Sequence, residues 1–262
     1  MALDKQGFLS PDLEQFRLQI REKYASAFAL VEKTNELIQN FKYRLEGPLS
    51  DDQKMLAVCL LIKMANDIQA SVLLAERGLV SQAASLVRVG VDGLILMAKV
   101  CKEADFSSQY RALGLKSQRK RLNAIIRNPA PGLDNLRSIA PDLLSKLGDE
   151  DELEIPHKTI EKWAREVGLG TLYDATYRSF SDDVHSGPAS LDRYLRVDES
   201  GNFIECVWGP DAEPDPRVVL VEATRVLLGC INLVKNLFNL TDIDGQHRQL
   251  AADFEVFAKG LA

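Results

Sequence analysis

The sequence contains few cysteines, no Cys-x-x-Cys pair and no long uncharged apolar run. The four cysteines lie far apart, so the sequence predicts neither a zinc site nor a disulfide framework, and three of them fall in apolar helical patterns typical of core thiols. Every uncharged apolar run is far shorter than the ~20 residues of a membrane span. The first residues also lack the basic start and apolar segment of a signal peptide. We therefore expect a cytoplasmic protein without a metal, a cofactor or a membrane partner.

Positive charge is also scarce, because 32 Lys and Arg face 38 Asp and Glu, a net charge of −6. Such a balance argues against a protein that coats nucleic acid along its whole surface. One stretch differs, since residues 106–133 contain no acidic residue. Its basic residues are Arg111, Lys116, Arg119, Lys120, Arg121 and Arg127. The run from Lys116 to Arg127 either follows a phosphate backbone or forms a solvated helix face balanced by the acidic residues 149–154.

The periodicity of apolar residues predicts a single all-α domain, a multi-helix bundle. With 46% hydrophobic residues, the 262-residue chain can bury one large core. Apolar residues recur at intervals of three and four, which predicts one long N-terminal helix within residues 1–48, a core bundle over 50–187 and C-terminal helices over 216–262. Within the insertion 188–215, two alternating runs around a polar turn predict one β-hairpin near residues 195–208.

The predicted helix from Ser81 to Cys101 is the most apolar element and the expected centre of the bundle. Its only charges before Lys99 are Arg88 and Asp92, which are four residues apart and can form an ion pair. This pair either locks the helix packing or helps to bind an anion or to fix the tautomer of a histidine. Gly90 and Gly93 each lower the helix propensity by roughly 1 kcal/mol, which indicates close packing against this helix.

A polar stripe recurs at a helical interval near the end of the predicted core bundle. Its members are Tyr173, Tyr177, Ser181 and His185, each four residues apart. A helix would place them on one face, with Arg178 within about 20° of the same line. Ser186-Gly187-Pro188 ends this helix, so we expect His185 in the last turn, at an edge that a ligand can reach.

These features resemble a bacterial all-α family known as a domain of unknown function. The resemblance rests on Leu-Val-Arg-Val-Gly-Val-Asp at 86–92, on Trp163, on the Tyr-x3-Tyr-x3-Ser-x3-His stripe and on Trp208 after the hairpin. It covers roughly residues 51–240. In that family a Glu usually stands four residues after the Arg, and Asp92 takes that place here.

The chain is distantly similar to the HEPN superfamily, many of whose members are metal-independent ribonucleases of toxin and phage-defence systems. Their signature is an Arg followed by four to six residues and a His near a helix end, which Arg178 and His185 match. Active members commonly have Asn, Asp or His directly after the Arg, and this chain has Ser179. The resemblance implies a homodimer that brings two Arg and His pairs together, with RNA and a protein of a defence or toxin system as partners.

The residues leave two functions open, an RNA-cleaving or RNA-binding protein and a non-enzymatic binding or structural module. For RNA cleavage, His185 is the acid or base, and Arg178 contacts the phosphate. Tyr177, Ser181 or Asp182 would orient the imidazole, with Tyr173, Arg88 and Asp92 in support and with Lys116, Arg119, Lys120 and Arg127 on the nucleic acid. The alternative is a non-enzymatic binding or structural module, in which His185 hydrogen-bonds a core carboxylate such as Asp92 beside Arg88 and Tyr177.

Overall fold

The computed structural model of this chain describes residues 6–48, 50–147, 159–207, 209 and 215–260. These residues form an all-α bundle with one two-stranded β-hairpin, which confirms the predicted fold class. The helices are α1 Leu13–Lys23, α2 Ala25–Phe41, α3 Asp52–Ala75, α4 Val80–Lys102, α5 Phe106–Arg127, α6 Asp134–Lys146, α7 Ile160–Val167, α8 Gly170–Leu172, α9 Arg178–His185, α10 Pro188–Leu191, α11 Pro216–Leu237 and α12 Asp244–Lys259. Helical turns of the 3-10 type span Gly7–Leu9, Lys42–Arg44, Asp192–Tyr194 and Thr241–Ile243, and strands β1 Leu195–Val197 and β2 Phe203–Cys206 pair antiparallel.

Helix α4 is the centre of the bundle, as its composition predicts. It packs on α3 and α11 along most of its length and also contacts α7 and α9. Val87, Val91 and Ile95 of α4 are fully buried, as are Leu227 and Ile231 of α11. Because α9 packs on α4, the polar stripe lies against the central helix of the bundle.

Helix α3 is, by length and composition alone, long and apolar enough to cross a membrane, with a mean hydropathy of 1.5 over its most apolar window. In the fold, 39% of that window is buried. Met64 and Ile68 of α3 are buried and pack against the backbone of α4. The apolar composition of α3 therefore has a packing role in the bundle.

The predicted single N-terminal helix is wrong, because the chain breaks at Tyr24 into α1 and α2. Tyr24 leaves the helical region at φ −116° and ψ 28°. Helix α2 buries a full apolar face, whereas no residue of α1 is buried. The apolar pattern continues through the break, so periodicity does not reveal it. The acidic residues 149–154 and Trp208 lie outside the described residues.

The expectation of three core thiols holds in full for Cys230 alone. Cys230 is buried, Cys101 is half-buried and Cys59 is exposed, because the apolar pattern of α3 extends around the outer face of that helix. Burial raises the pKa of the Cys101 thiol to about 11, and it also raises the pKa of Cys230. Both thiols are therefore protonated and unreactive at neutral pH.

The two glycines of α4 are close-packing positions, which confirms their interpretation from the sequence. A methyl group on Gly93 would lie 2.7 Å from both Cγ and Sδ of Met64. One on Gly90 would lie 3.2 Å from Cδ1 of Ile68 and 3.3 Å from Cγ1 of Val226. The absence of side chains here lets α3 and α11 approach α4.

We expect Gly93→Ala to lower the free energy of unfolding by about 1–2 kcal/mol, because the overpacking against Met64 outweighs the gain in helix propensity. The matched control is Gly114→Ala in α5, where the added methyl meets no atom within 4 Å. That variant should be more stable than the wild type by up to about 1 kcal/mol. Urea unfolding followed by circular dichroism measures both changes, and equal effects of the same sign would contradict the packing argument.

Helices α5 and α6 form an arm on the bundle. Helix α6 packs on α5, while α5 also contacts α3 and α4. Beyond Phe106 and Ser107, no residue of α5 is buried. The basic residues of α5 are therefore presented on an extended surface.

Candidate functional site

The helix that carries the polar stripe is continuous from α8 to α9 but contains a π-helical turn, Tyr173–Tyr177, that the sequence does not predict. Its backbone bond runs from the N–H of Arg178 to the carbonyl of Tyr173, five residues earlier. Such single π turns are often found at functional sites. Within it the rings of Tyr173 and Tyr177 stack, with centroids 4.7 Å apart and planes 19° apart.

A polar cluster joins α4 to this helix through Tyr177. Nη1 of Arg88 lies 3.2 Å from Oδ2 of Asp92, so the predicted pair forms. Nη2 of Arg88 donates to the hydroxyl of Tyr177, and the guanidinium lies 4.3 Å from the centre of that ring. Burial raises the pKa of Asp92 against the opposing charge of Arg88. Burial and the charge of Asp92 raise the pKa of Tyr177, whose phenol therefore stays protonated at neutral pH.

Arg178 lies on the surface, in ion pairs that the sequence does not predict. Its side chain is 57% exposed, with Nη2 3.3 Å from Oε1 of Glu161 and Nε 3.5 Å from Oδ1 of Asp174. Arg165 pairs with the same two carboxylates, at 2.7 Å from Asp174 and 3.4 Å from Glu161. The guanidinium of Arg178 also lies 5.5 Å from the centre of the Tyr173 ring. These contacts connect α7 to the stripe helix across its π turn.

His185 ends α9, in the last turn as predicted, and its side chain is exposed. Within the described chain its imidazole makes no hydrogen bond or ion pair, so Asp92, Arg88 and Tyr177 form their cluster without it. The residues expected to orient this imidazole make no hydrogen bond to it in the described chain. The hydroxyl of Ser181 donates to the carbonyl of Tyr177 at 2.7 Å, and Asp182 is exposed with its carboxylate beside Gly187. The stripe thus divides into a half-buried tyrosine end and an open histidine end.

The basic residues of α5 lie on a separate surface. Lys116, Lys120 and Arg127 are exposed, and Arg119 is half-buried. Helix α5 packs on α3, α4 and α6, whereas α9 packs on α4 and α10. The structure therefore presents these residues to solvent but does not bring them into the stripe.

Comparison with known protein families places this chain in one of them. A model described as "Family of unknown function (DUF5677)" matches residues 54–203, more than half of the 262-residue chain. The chain belongs to this family. No curated protein and no solved structure matches it.

The DUF5677 region runs from α3 to the start of β2 and contains all the candidate site residues. It is narrower than the stretch 51–240 that the resemblance suggested, because it ends before α11. Helix α11 nevertheless packs on α2, α3 and α4, so the family region and the helices outside it share one core.

The sequence missed a second polar group within the DUF5677 region. Arg193 bridges Asp183 of α9 and Ser81 of α4, with Nη2 2.9 Å from Oδ1 of Asp183 and Nη1 donating to the hydroxyl of Ser81 at 2.6 Å. One signal was available: Ser81, Ser85, Arg88 and Asp92 recur at intervals of four, three and four, which places them on one face of α4. That polar face turns toward α9 and α10.

Proposed function

We propose that this chain is a metal-independent RNA-cleaving protein, in which His185 transfers protons and Arg178 contacts the phosphate. The observation that carries this proposal is the exposure of both side chains on α9. Seven residues of regular helix separate them by about 10.5 Å along the axis and by about 20° around it, so both face the same solvent region. His185 has no hydrogen bond to a described residue that would hold it in a structural role.

The chemistry needs three groups. A base takes the proton of the ribose 2′-hydroxyl, whose oxygen attacks the phosphorus atom. An acid gives a proton to the departing 5′-oxygen, and a cation stabilises the charge of the phosphorane, so that the products are a cyclic phosphate and a free 5′-hydroxyl. One chain supplies a single His185, so we propose that a second copy in a homodimer supplies the other proton-transfer group. The spacing of Arg178 and His185, which resembles the HEPN signature, supports this arrangement and a place in a defence or toxin system.

The ion pairs of Arg178 are compatible with phosphate binding. Exposed pairs contribute only about 0–1 kcal/mol each, so a phosphate oxygen can replace Glu161 or Asp174 at little cost. Arg165 remains to hold both carboxylates when Arg178 turns away. The planar guanidinium can then bind two phosphate oxygens at once.

The exposed basic face of α5 supports binding of the same ligand. Lys116, Lys120 and Arg127 make no ion pair within the described part of the chain, so their charges are available to the phosphate backbone. Each such contact adds affinity that falls as the salt concentration rises. The stretch has no interleaved aromatic residues, so it would contact the backbone rather than stack on bases.

The proposal predicts that His185→Ala and Arg178→Ala each reduce cleavage of a labelled RNA, assayed in EDTA, to the level of buffer alone. Arg165→Ala is the matched control, because it removes an arginine from the same ion-pair network but not the proposed phosphate contact. It should keep more than half of the wild-type rate. An RNA with 2′-deoxyribose at the cleaved position should resist the wild type.

Two outcomes would contradict the proposal: wild-type protein that leaves RNA panels intact, or cleavage that survives both substitutions in folded protein. An Arg165→Ala variant as inactive as Arg178→Ala would show that the network acts by holding the helices.

A second candidate is a non-enzymatic module whose pocket involves Arg88, Asp92 and Tyr177. The ion pairs of Arg178 with Glu161 and Asp174 favour it, because they give this arginine a structural role. RNA that stays intact with the wild type, together with a loss of stability in Arg178→Ala, would select this candidate.

A further inference from the structure

A small polar cavity lies between the start of α4, the end of α9 and α10 with the turn that follows it. Its volume is about 180 Å³, and the polar residues that line it in the described part of the chain are Ser81, Gln82, Ser85, Asp183, Ser186, Ser190 and Tyr194. Leu191 is its single apolar lining residue. Cavities for drug-sized ligands are typically about 300–1,000 Å³, so this one suits a single ring rather than a whole nucleotide.

The hydroxyl groups of the cavity are oriented by the backbone. The hydroxyl of Ser85 donates to the carbonyl of Ser81 at 3.1 Å. The hydroxyl of Ser190 lies 2.8 Å from the carbonyl of Gly187 and 3.0 Å from that of Asp182, so its proton is also used by the backbone. Since a hydroxyl has one proton and two lone pairs, Ser85 and Ser190 can offer the cavity only acceptors.

The charge of the cavity is balanced. The side chain of Asp183 is 11% exposed and pairs with Arg193, whose second nitrogen donates to Ser81. An ionised carboxylate accepts about four hydrogen bonds, so Asp183 can accept from a ligand in addition to its ion pair. A bound anion would be repelled by this buried carboxylate, and a bound cation would be repelled by the guanidinium of Arg193. The cavity therefore favours a neutral ligand that carries several hydrogen-bond donors.

The cavity also adjoins the proposed catalytic end of α9. Ser186, which lines it, follows His185 directly and adopts the left-handed conformation at φ 52°. This conformation is uncommon for a residue other than glycine and turns the chain sharply at the helix end. A ring bound in the cavity would thus lie beside Ser186, the residue that follows His185.

We propose that this cavity binds a ribose ring through its free vicinal 2′- and 3′-hydroxyls, with Asp183, Ser85 and Ser190 as acceptors. A vicinal diol is neutral and presents two adjacent donors, and carboxylates recognise ribose hydroxyls in this way in dinucleotide-binding folds. The choice of ribose among neutral diols rests on the proposed RNA function. The ribose belongs either to the 3′ end of an RNA or to a free nucleoside.

Isothermal titration of the full chain with adenosine, 2′-deoxyadenosine and 3′-deoxyadenosine tests the site. We expect adenosine to bind and each deoxy analogue to bind at least tenfold more weakly, because a buried acceptor then loses its donor. Ser85→Ala and Asp183→Asn should each weaken adenosine binding at least tenfold. Asp215→Asn, which alters a comparable pair with Arg217 outside the cavity, should leave it unchanged.

Failure of adenosine to bind, or equal binding of the deoxy analogues, overturns the proposal, as does unchanged affinity in folded Ser85→Ala. A short RNA ending in a 3′-hydroxyl, compared with the same RNA ending in a 3′-phosphate, identifies the source of the ribose. Preference for the 3′-hydroxyl indicates an RNA end, whereas binding of adenosine alone indicates a nucleoside. Wild-type protein that binds the diol but leaves RNA intact would refute the proposed function and leave this site standing, whereas wild-type protein that cleaves RNA but does not bind the diol would overturn this site alone.

Discussion

Phe106→Ala is expected to lower the free energy of unfolding by about 3–5 kcal/mol, the cost of emptying a buried aromatic site. Phe106 is the first residue of α5 and is only 2% exposed. Its ring meets Trp163 edge to face at 5.2 Å and stacks beside Tyr110 at 6.2 Å. The ammonium of Lys99 lies 5.7 Å from its centre. One side chain thus joins α4, α5 and α7.

The matched control for this prediction is Phe203→Ala in the β-hairpin. Phe203 is 62% exposed, so the same substitution there should change the free energy of unfolding by no more than about 0.5 kcal/mol. Urea unfolding followed by circular dichroism gives both values, with the slope checked for two-state behaviour. Comparable costs for the two variants would mean that Phe106 does not anchor the arm.

The fold was predictable where local patterns decide it. Helix α4 was recognised from its apolar sequence and its close-packing glycines, and the hairpin from two alternating runs around a polar turn. The break at Tyr24 was missed because apolar residues continue at helical intervals on both sides of it. The π turn at Tyr173–Tyr177 was missed for a related reason, since it shifts backbone hydrogen bonds without altering the spacing of the tyrosines.

The candidate site was predictable only along single helices. The pair Arg88 and Asp92 followed from its spacing of four residues, and the place of His185 followed from the breaker after it. The contact of Arg88 with Tyr177 joins residues 89 apart. The non-enzymatic alternative included it but also placed His185 there, because no local pattern indicates which distant side chains meet. The partners of Arg178 on α7 and the bridge of Arg193 to Ser81 were missed because both depend on how helices pack.

Removing both partners of Lys99 is expected to lower the free energy of unfolding by about 3 kcal/mol, near the lower end of the cost of a buried charge without its counter-charge. The side chain of Lys99 is only 4% exposed. It pairs with Glu103 and, at 2.8 Å, with Glu166. The double variant Glu103→Gln/Glu166→Gln keeps oxygen acceptors but removes both negative charges, so the ammonium stays buried without compensation.

The pH dependence of this double variant should have the opposite sign from that of the wild type. In the wild type, burial acts to lower the pKa of Lys99, but Glu103 and Glu166 outweigh it and raise that pKa. The stabilisation is therefore complete below the unfolded pKa of about 10.4 and is lost as the pH rises through the folded value. In the double variant burial alone remains, the folded pKa falls below the unfolded one, and stability should rise with pH between these two values.

Adding Lys99→Met to the double variant separates charge from packing. The methionine keeps the apolar stem without the ammonium, so the triple variant should recover most of the lost stability and lose the rise with pH. Urea unfolding at pH 7 and pH 9.5 compares the three proteins. A double variant whose stability does not rise with pH, or a triple variant no more stable than the double, would show that Lys99 reaches water when its partners are gone. Recovery would instead show that the two glutamates stabilise the fold by compensating the charge of Lys99, which is buried between α4 and α7.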